Sequence, residues 1–334
     1  MAYGRRHAPA MSSMKVVSLS PSWLEDLNGR LDEGIALVAA DPRDAAGVGA
    51  AIADAQVILA TRFDAEMARN ARALELLICP AAGTEMIDRS ALPIGVEFVA
   101  GIGHEIPMAE YVLGALVALR QRFFAADAAL RRGEWRFGYF GSRELVDELW
   151  GSSLGLVGFG RIGEQVALRA VAFGMQCRAV TLHPDKAVKP GLLAERPAPL
   201  DSKAGVDALI GQSDALVVAC ALSPLTQGLI DARRFELMRP HAVLVNVARG
   251  PVVDERALFD ALSTRRIAGA AIDVWYRYPH KSTDIVKPSD MAFDALDNVI
   301  MTPHSSAWTP AARERRIAYL ASTINDHAAN RSRR

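Results

Sequence analysis

"LGLVGFGRIGEQVALRA" (residues 154–170) carries an apolar stretch into three closely spaced glycines and then into a helical pattern. Gly158, Gly160 and Gly163 form G-x-G-x-x-G between a strand and a helix. Each glycine there has a physical task. Gly158 permits a tight turn, Gly160 lets the backbone approach a pyrophosphate, and Gly163 lets helix and strand pack closely. The helix N-terminus adds unpaired N–H groups for the anion, and Arg161 and Ile162 belong to the same expected cofactor contacts. The spacing alone would also describe a flexible loop. With strand, turn, helix and a following strand in register, dinucleotide binding is the stronger reading.

Working outward, short apolar runs alternate with helical patterns along almost the whole chain. "KVVSL" (15–19), "IALV" (35–38), "QVILA" (56–60), "ELLIC" (75–79) and "VEFV" (96–99) read as strands in the first block. "LGLVG" (154–158), "CRAVTL" (177–182), "ALVVAC" (215–220), "AVLVN" (242–246), "AGAAIDV" (268–274) and "NVIM" (298–301) repeat the plan in the second. Strands apolar at successive positions are covered on both faces, and alternation with helices implies parallel sheets. Two such blocks predict an α/β chain of two doubly wound parallel-sheet domains. Between them, the helical spacing over 107–131, opened by Pro107, predicts one long bridging helix. Pro310 opens a last helix that chain order returns to the first domain, which predicts a cleft at the carboxyl ends of both sheets.

At 334 residues the chain has length for two modest domains, and 51% hydrophobic content supplies their cores. Lys+Arg and Asp+Glu balance at 38 each, so no general attraction draws it to nucleic acid or to a membrane surface. "YVLGALVAL" (111–119) is too short to span a bilayer. Cys79, Cys177 and Cys220 each sit in or beside an apolar run and read as buried reduced thiols of a cytoplasmic protein, with no metal cluster. Residues 1–13 read as a disordered tail.

Three strand ends carry polar chemistry. An acid that holds the adenosine ribose is expected about 20 residues after the glycine turn. "AVTLHPDK" (179–186) has Thr181 at that place, followed by His183 and Lys186. Losing the carboxylate removes the charge that repels a 2′-phosphate, so NAD and NADP both stay open; Asp185 or backbone groups are the alternative ribose partners. "LVNVARGPVVDE" places Arg249 after a strand end, where its planar fork suits a carboxylate; pairing with Asp254 is the plainer alternative. "NVIMTPH" places His304 after another strand end, at the same edge as Arg249 and the glycine turn.

"GFGRIG", "NVARGPVVDE", "GAAIDV" and "NVIMTPH", in this order and spacing, resemble the D-isomer-specific 2-hydroxyacid dehydrogenases. Weaker matches are "CPAAGTEMID" (79–88), "MAEYVLG" (108–114), "RRGEW" (131–135) and "ELWG" (148–151). The resemblance implies a Rossmann-type nucleotide domain (108–301) and a flavodoxin-like split substrate domain (14–107 with 302–334). It implies hydride transfer between NAD(P)H and C2 of a small 2-keto or D-2-hydroxy acid, in a homodimer. Arg249 would clamp the carboxylate, and His304 would exchange a proton with the C2 oxygen as general acid and base, a task suited to an imidazole. Asp273 would accept from the nicotinamide carboxamide, Ala248 would line the cofactor site, and the N–H groups of Ala82 and Gly83 would hold the substrate carboxylate.

Two departures stand out. Most of the family has a glutamate five residues after the aspartate, paired with the histidine; here Tyr278 stands there, before Pro279. Tyr278 could orient His304 without charge, or Glu105, Asp284 or Asp290 could supply the missing acid. In a third reading catalysis is lost, and the chain is a dinucleotide-binding sensor or a corepressor-like interaction protein. The second departure is His104, at a position where many relatives have asparagine. His104 is an expected substrate contact, and Trp275, Tyr276 and Trp308 suggest an aromatic pocket; equally, the aromatics of "WYRYP" (275–279) would pack between domains or against a partner subunit. The Pro-containing loop 280–294 is long for a strand connection.

Overall fold

The computed structural model describes residues 14–20, 24–138, 145–281 and 283–333. The tail expected over residues 1–13 lies outside them. The chain divides into two compact units, 1–103 with 310–334, and 104–309. These limits differ from 107/108 and 301/302. The hydrogen bonds of residues 302–306 to Asp273 tie the segment after the last strand to the second unit.

The first unit begins with β1 (Met14–Ser18), α1 (Leu24–Asn28), β2 (Ile35–Ala39), α2 (Ala45–Ile52), β3 (Val57–Leu59), α3 (Ala65–Asn70), β4 (Leu76–Cys79) and β5 (Glu97–Ala100). The strands pair in parallel in the order β2-β1-β3-β4-β5, the flavodoxin-like arrangement. Their continuous apolar character has a direct cause. Val17, Ile58, Leu77 and Cys79 face one core, while Val16, Val57, Leu59, Leu76 and Ile78 face another.

The second unit contains α4 (Glu105–Arg120), α5 (Phe123–Arg131), β6 (Ser153–Val157), α6 (Arg161–Ala172), β7 (Gln176–Thr181), β8 (Ala198–Pro199), α7 (Lys203–Gln212), β9 (Ala215–Val218), α8 (Ala232–Leu237), β10 (Val243–Asn246), α9 (Glu255–Ser263), β11 (Gly269–Ile272) and β12 (Val299–Met301). Seven parallel strands run in the order β12-β11-β10-β9-β6-β7-β8. The order reverses between β6 and β9, the switch point at which open α/β sheets bind ligands. One face packs on α4 and α6 through Leu154, Leu156, Val217, Val245 and Ala271; the other packs on α7, α8 and α9 through Val157, Val180, Leu216, Leu244 and Ile272. The single helix expected over 107–131 is two helices. Arg122 adopts φ 53, a left-handed conformation that ends α4 and restarts the chain as α5. Helix α4 also starts before Pro107, which fits because a proline in the first turn removes an N–H that has no intrahelical partner.

The chain then returns to the first unit as α10 (Pro310–Ser332). Ile317, Leu320, Ala321 and Ile324 complete the core that holds Val16 and Leu59. A bidentate pair between Arg30 and Glu314, at 2.7 and 2.8 Å, ties the helix to the start of the chain.

Candidate active site

The glycine turn after β6 is built as its sequence requires. Gly158 has φ 100, and a Cβ there would lie 2.7 Å from the Cys220 nitrogen. At Gly163 a Cβ would meet the Gly158 carbonyl oxygen at 2.5 Å, so helix and turn touch through glycine alone. A Cβ at Gly160 would meet nothing within 4 Å, and no side chain caps α6. Open space therefore lies beside the first N–H groups of the helix, at Arg161 and Ile162, which is the condition for a pyrophosphate to fit.

At the end of β7, Thr181 is buried, and its Oγ1 accepts the His183 N–H at 3.3 Å. Asp185, the alternative ribose partner, forms an exposed pair with Arg196. His183 and Lys186 line one shallow cavity with Phe159, Glu164 and Lys189, and Lys189 neutralises Glu164 at 2.8 Å.

Arg249 follows β10 in a turn fixed by Asn246. The Asn246 Oδ1 accepts the Ala248 N–H at 3.1 Å, and its Nδ2 donates to the Arg249 carbonyl at 3.1 Å. Arg249 Nη1 donates to the Ala248 carbonyl at 2.7 Å. The next residue touches the following loop: a Cβ on Gly250 would lie 2.4 Å from the Trp275 carbonyl oxygen. The loops after β10 and β11 are thus in backbone contact.

Asp273, at the end of β11, is fully buried. Its carboxylate faces the loop after β12, where Oδ1 accepts from Thr302 Oγ1 (2.6 Å) and Ser305 N–H (2.9 Å). Oδ2 accepts from Ser306 N–H at 3.0 Å. Between those anchors stands His304, exposed and at φ 58. The Tyr278 ring lies against it, centroids 5.6 Å apart. Tyr278 OH accepts the Trp275 N–H at 3.0 Å. Burial pushes the Tyr278 phenol above its ordinary pKa; the Trp275 N–H and the Arg249 charge pull it down, and the Asp273 charge pushes it up. Glycine turn, Thr181, Ala248, Arg249, Asp273, Tyr278 and His304 thus all stand at the carboxyl edge of one sheet.

Residues 113–306 match the model described as D-isomer specific 2-hydroxyacid dehydrogenase, NAD binding domain. The chain belongs to the D-isomer specific 2-hydroxyacid dehydrogenases. It is 33% identical over 268 residues to D-3-phosphoglycerate dehydrogenase of Methanocaldococcus jannaschii, covering 79% of this chain and 48% of that longer protein. It is 33% identical over 263 residues to glyoxylate reductase of Thermococcus gammatolerans, covering 77% of this chain and 74% of that one. Among solved structures, the TT0316 protein from Thermus thermophilus aligns with a TM-score of 0.68 at 27% identity, over 92% of this chain and 94% of that one. The family places the chain among the NAD(P)-dependent oxidoreductases of hydroxy and keto acids.

Other expected residues of this dehydrogenase lie elsewhere. Ala82 and Gly83 belong to the first unit, in the turn after β4, where the Cys79 thiol donates to the Gly83 carbonyl at 3.5 Å. His104 is buried immediately before α4, its carbonyl accepting the Met108 N–H. The aromatic pocket is not formed by Trp275 and Tyr276. Trp275 packs edge-on against Phe293 and donates Nε1 to the Thr302 carbonyl at 2.8 Å, and Tyr276 OH donates to the Val253 carbonyl at 3.0 Å. Trp308 is exposed. Of the acids considered as partners for His304, Asp290 pairs with Arg277, Asp284 accepts the His280 and Lys281 N–H groups, and Glu105 is the first residue of α4. Sequence reasoning missed Asn246, Thr302 and Tyr111. The first two sit beside Arg249 and His304 at strand ends and carried a positional signal; Tyr111 lies within an apolar helical run and carried none.

Proposed function

We propose that this dehydrogenase reduces small 2-keto acids, with Arg249 as carboxylate clamp and His304 as general acid, and catalyses the reverse oxidation with His304 as base. The observation that carries this reading is the placement of both side chains on loops at the carboxyl ends of β10 and β12, the strands that flank β11, in one unit with the glycine turn. A nicotinamide cofactor, when bound, supplies or accepts the hydride. Gly158, Gly160 and Gly163 make room for its pyrophosphate, and the first N–H groups of α6 hold the charge. Arg249 offers parallel N–H donors to a carboxylate and draws electron density from the neighbouring C2 oxygen. His304 gives its proton to that oxygen as negative charge develops there. His104, in the same unit, contributes to the substrate pocket. Tyr278 orients the His304 ring and adds no charge.

Thr181 in place of an acid, with Lys186 and His183 beside it, supports use of NADPH at least as well as NADH. A homodimer is proposed through the second unit. Phe123, Phe124 and Leu130 of α5, and Leu168, Val171 and Phe173 at α6, expose large apolar groups that a partner subunit would cover. Sedimentation at micromolar concentration tests it, a monomer being the contrary result. No helix among the described residues is long and apolar enough to cross a membrane. The three buried free cysteines support a cytoplasmic setting.

The test is consumption of NADH and of NADPH against 2-keto acids from glyoxylate to phenylpyruvate, with His304→Ala as the blank. Turnover that vanishes in the blank supports the reading. Tight cofactor binding without turnover on any acid favours the dinucleotide sensor instead.

A further inference from the structure

Helix α4 reaches the His304 loop through a chain of three side chains. The Tyr111 hydroxyl lies 2.8 Å from Thr302 Oγ1, and Thr302 Oγ1 donates to Asp273 Oδ1 at 2.6 Å. A threonine hydroxyl has one proton. Since that proton goes to Asp273, the remaining Thr302 lone pairs face Tyr111, and the phenol must be the donor. The relay therefore has one direction, Tyr111 to Thr302 to Asp273. Burial, against the pull of the Thr302 contact, pushes the Tyr111 phenol up to about 12, so the donor keeps its proton at any working pH.

What the relay fixes is the backbone of the catalytic loop. Asp273 holds the N–H groups of Ser305 and Ser306, the two residues after His304. On the other side, Trp275 Nε1 holds the Thr302 carbonyl, two residues before it. His304 itself sits at φ 58. A left-handed non-glycine residue is strained and persists only where its surroundings over-determine it. The four anchors around His304 provide that over-determination, and the carboxylate at their centre keeps its orientation because the Thr302 hydroxyl donates to it alongside the two N–H groups.

We infer that Tyr111 and Thr302 are positioning residues for His304, acting through the buried Asp273 carboxylate. The inference rests on the proposed role of His304. It also gives Asp273 a task distinct from contact with a carboxamide: the carboxylate shapes the loop from beneath and needs no exposed oxygen to do so.

The experiment compares Tyr111→Phe, Thr302→Val, Thr302→Ser and His304→Ala in the full-length chain. It measures kcat, the keto-acid KM, cofactor affinity by quenching of protein fluorescence, and melting temperature. Tyr111→Phe removes one hydrogen bond and is expected to lower kcat about five- to tenfold, with KM and cofactor affinity within about twofold. Thr302→Val leaves the carboxylate short of a donor and is expected to lower kcat further, by about thirtyfold or more, while Thr302→Ser restores it to within about threefold. If Tyr111→Phe and Thr302→Val both keep kcat within about twofold while His304→Ala is inactive, the relay does not position His304, and the proposed function stands. Losses confined to KM or to cofactor affinity also overturn the inference, because the network would then serve binding. If Thr302→Val does not fold, Tyr111→Phe and Thr302→Ser decide the matter. Turnover surviving in His304→Ala would overturn the proposed function itself, and the inference with it.

Discussion

The Tyr278 ring stands 5.6 Å from the His304 imidazole, tilted by 53° and held from behind by the Trp275 N–H. It occupies the place where the resemblance puts a glutamate, and it supplies a surface without a charge. Since burial raises the phenol above its ordinary pKa, Tyr278 stays neutral wherever the enzyme works. Tyr278→Phe keeps ring and neutrality but strands the Trp275 N–H; activity is expected to fall by less than about tenfold. Tyr278→Glu adds a negative charge beside His304, which favours the imidazolium, so the limb of kcat/KM for reduction should move to higher pH by about one unit. An unmoved profile would show that residue 278 does not act on the imidazole.

Thr181 places a hydroxyl where an acid would repel a 2′-phosphate, and that hydroxyl accepts the long bond from the His183 N–H. Thr181→Asp can keep that bond and add charge. Two like charges at close range near a surface cost on the order of 1–4 kcal/mol, so the ratio of kcat/KM for NADH over NADPH is expected to rise at least about tenfold. A constant ratio in parallel assays would mean that other groups read the ribose.

The parallel sheets were legible because most of their strands are apolar at successive positions, a direct consequence of cores on both faces. Strand ends were legible to within one or two residues, since glycine, asparagine, aspartate or threonine marks most of them in the second unit. The break between α4 and α5 was not, because an arginine at 122 gives no sign of a left-handed backbone. Sequence leaves open whether Trp275 and Tyr276 line a pocket or pack, because composition cannot say which way a side chain turns. Nor could sequence reveal Tyr111 as a partner of Thr302, 191 residues away, since only the fold brings them together.

Gly250 carries a prediction that separates packing from chemistry. Its Cα faces the Trp275 carbonyl so closely that a Cβ would lie 2.4 Å from the oxygen and 3.1 Å from the Tyr276 nitrogen. Gly250→Ala must push apart the loops that carry Arg249 and Tyr278. A cost of about 1–3 kcal/mol in stability is expected from overpacking, with a larger fractional loss in kcat than in cofactor affinity. Gly114→Ala is the control: within α4, with nothing within 4 Å of the added Cβ, it should stabilise by about 0.5–1 kcal/mol. Urea denaturation of both variants measures the difference. Equal stabilities would show that the two loops are not in contact.

Asp214, at the amino-terminal edge of the same sheet, predicts how the protein responds to acid. Burial pushes its carboxyl up, but the Ser153 N–H, His241, the Ser153 hydroxyl and Arg239 together bring it well below the usual carboxylate range. The contacts are close, at 2.8 Å to Ser153 N, 2.7 Å to His241 Nε2 and 2.6 Å to Arg239 Nη1. A folded-state pKa below the unfolded value of about 3.9 means stability that is fully present above that pH and lost as pH falls toward the folded value. Asp214→Asn removes the charge and is expected to destabilise by about 2–3 kcal/mol at neutral pH. The gap between the two proteins should hold down to about pH 5 and close progressively below about pH 4, where the unfolded carboxyl takes up its proton. Urea unfolding from pH 7 down to pH 3 tests this. A gap that stays constant across the range would mean that the Asp214 charge contributes nothing to stability, and that hydrogen bonding available equally to asparagine accounts for the site.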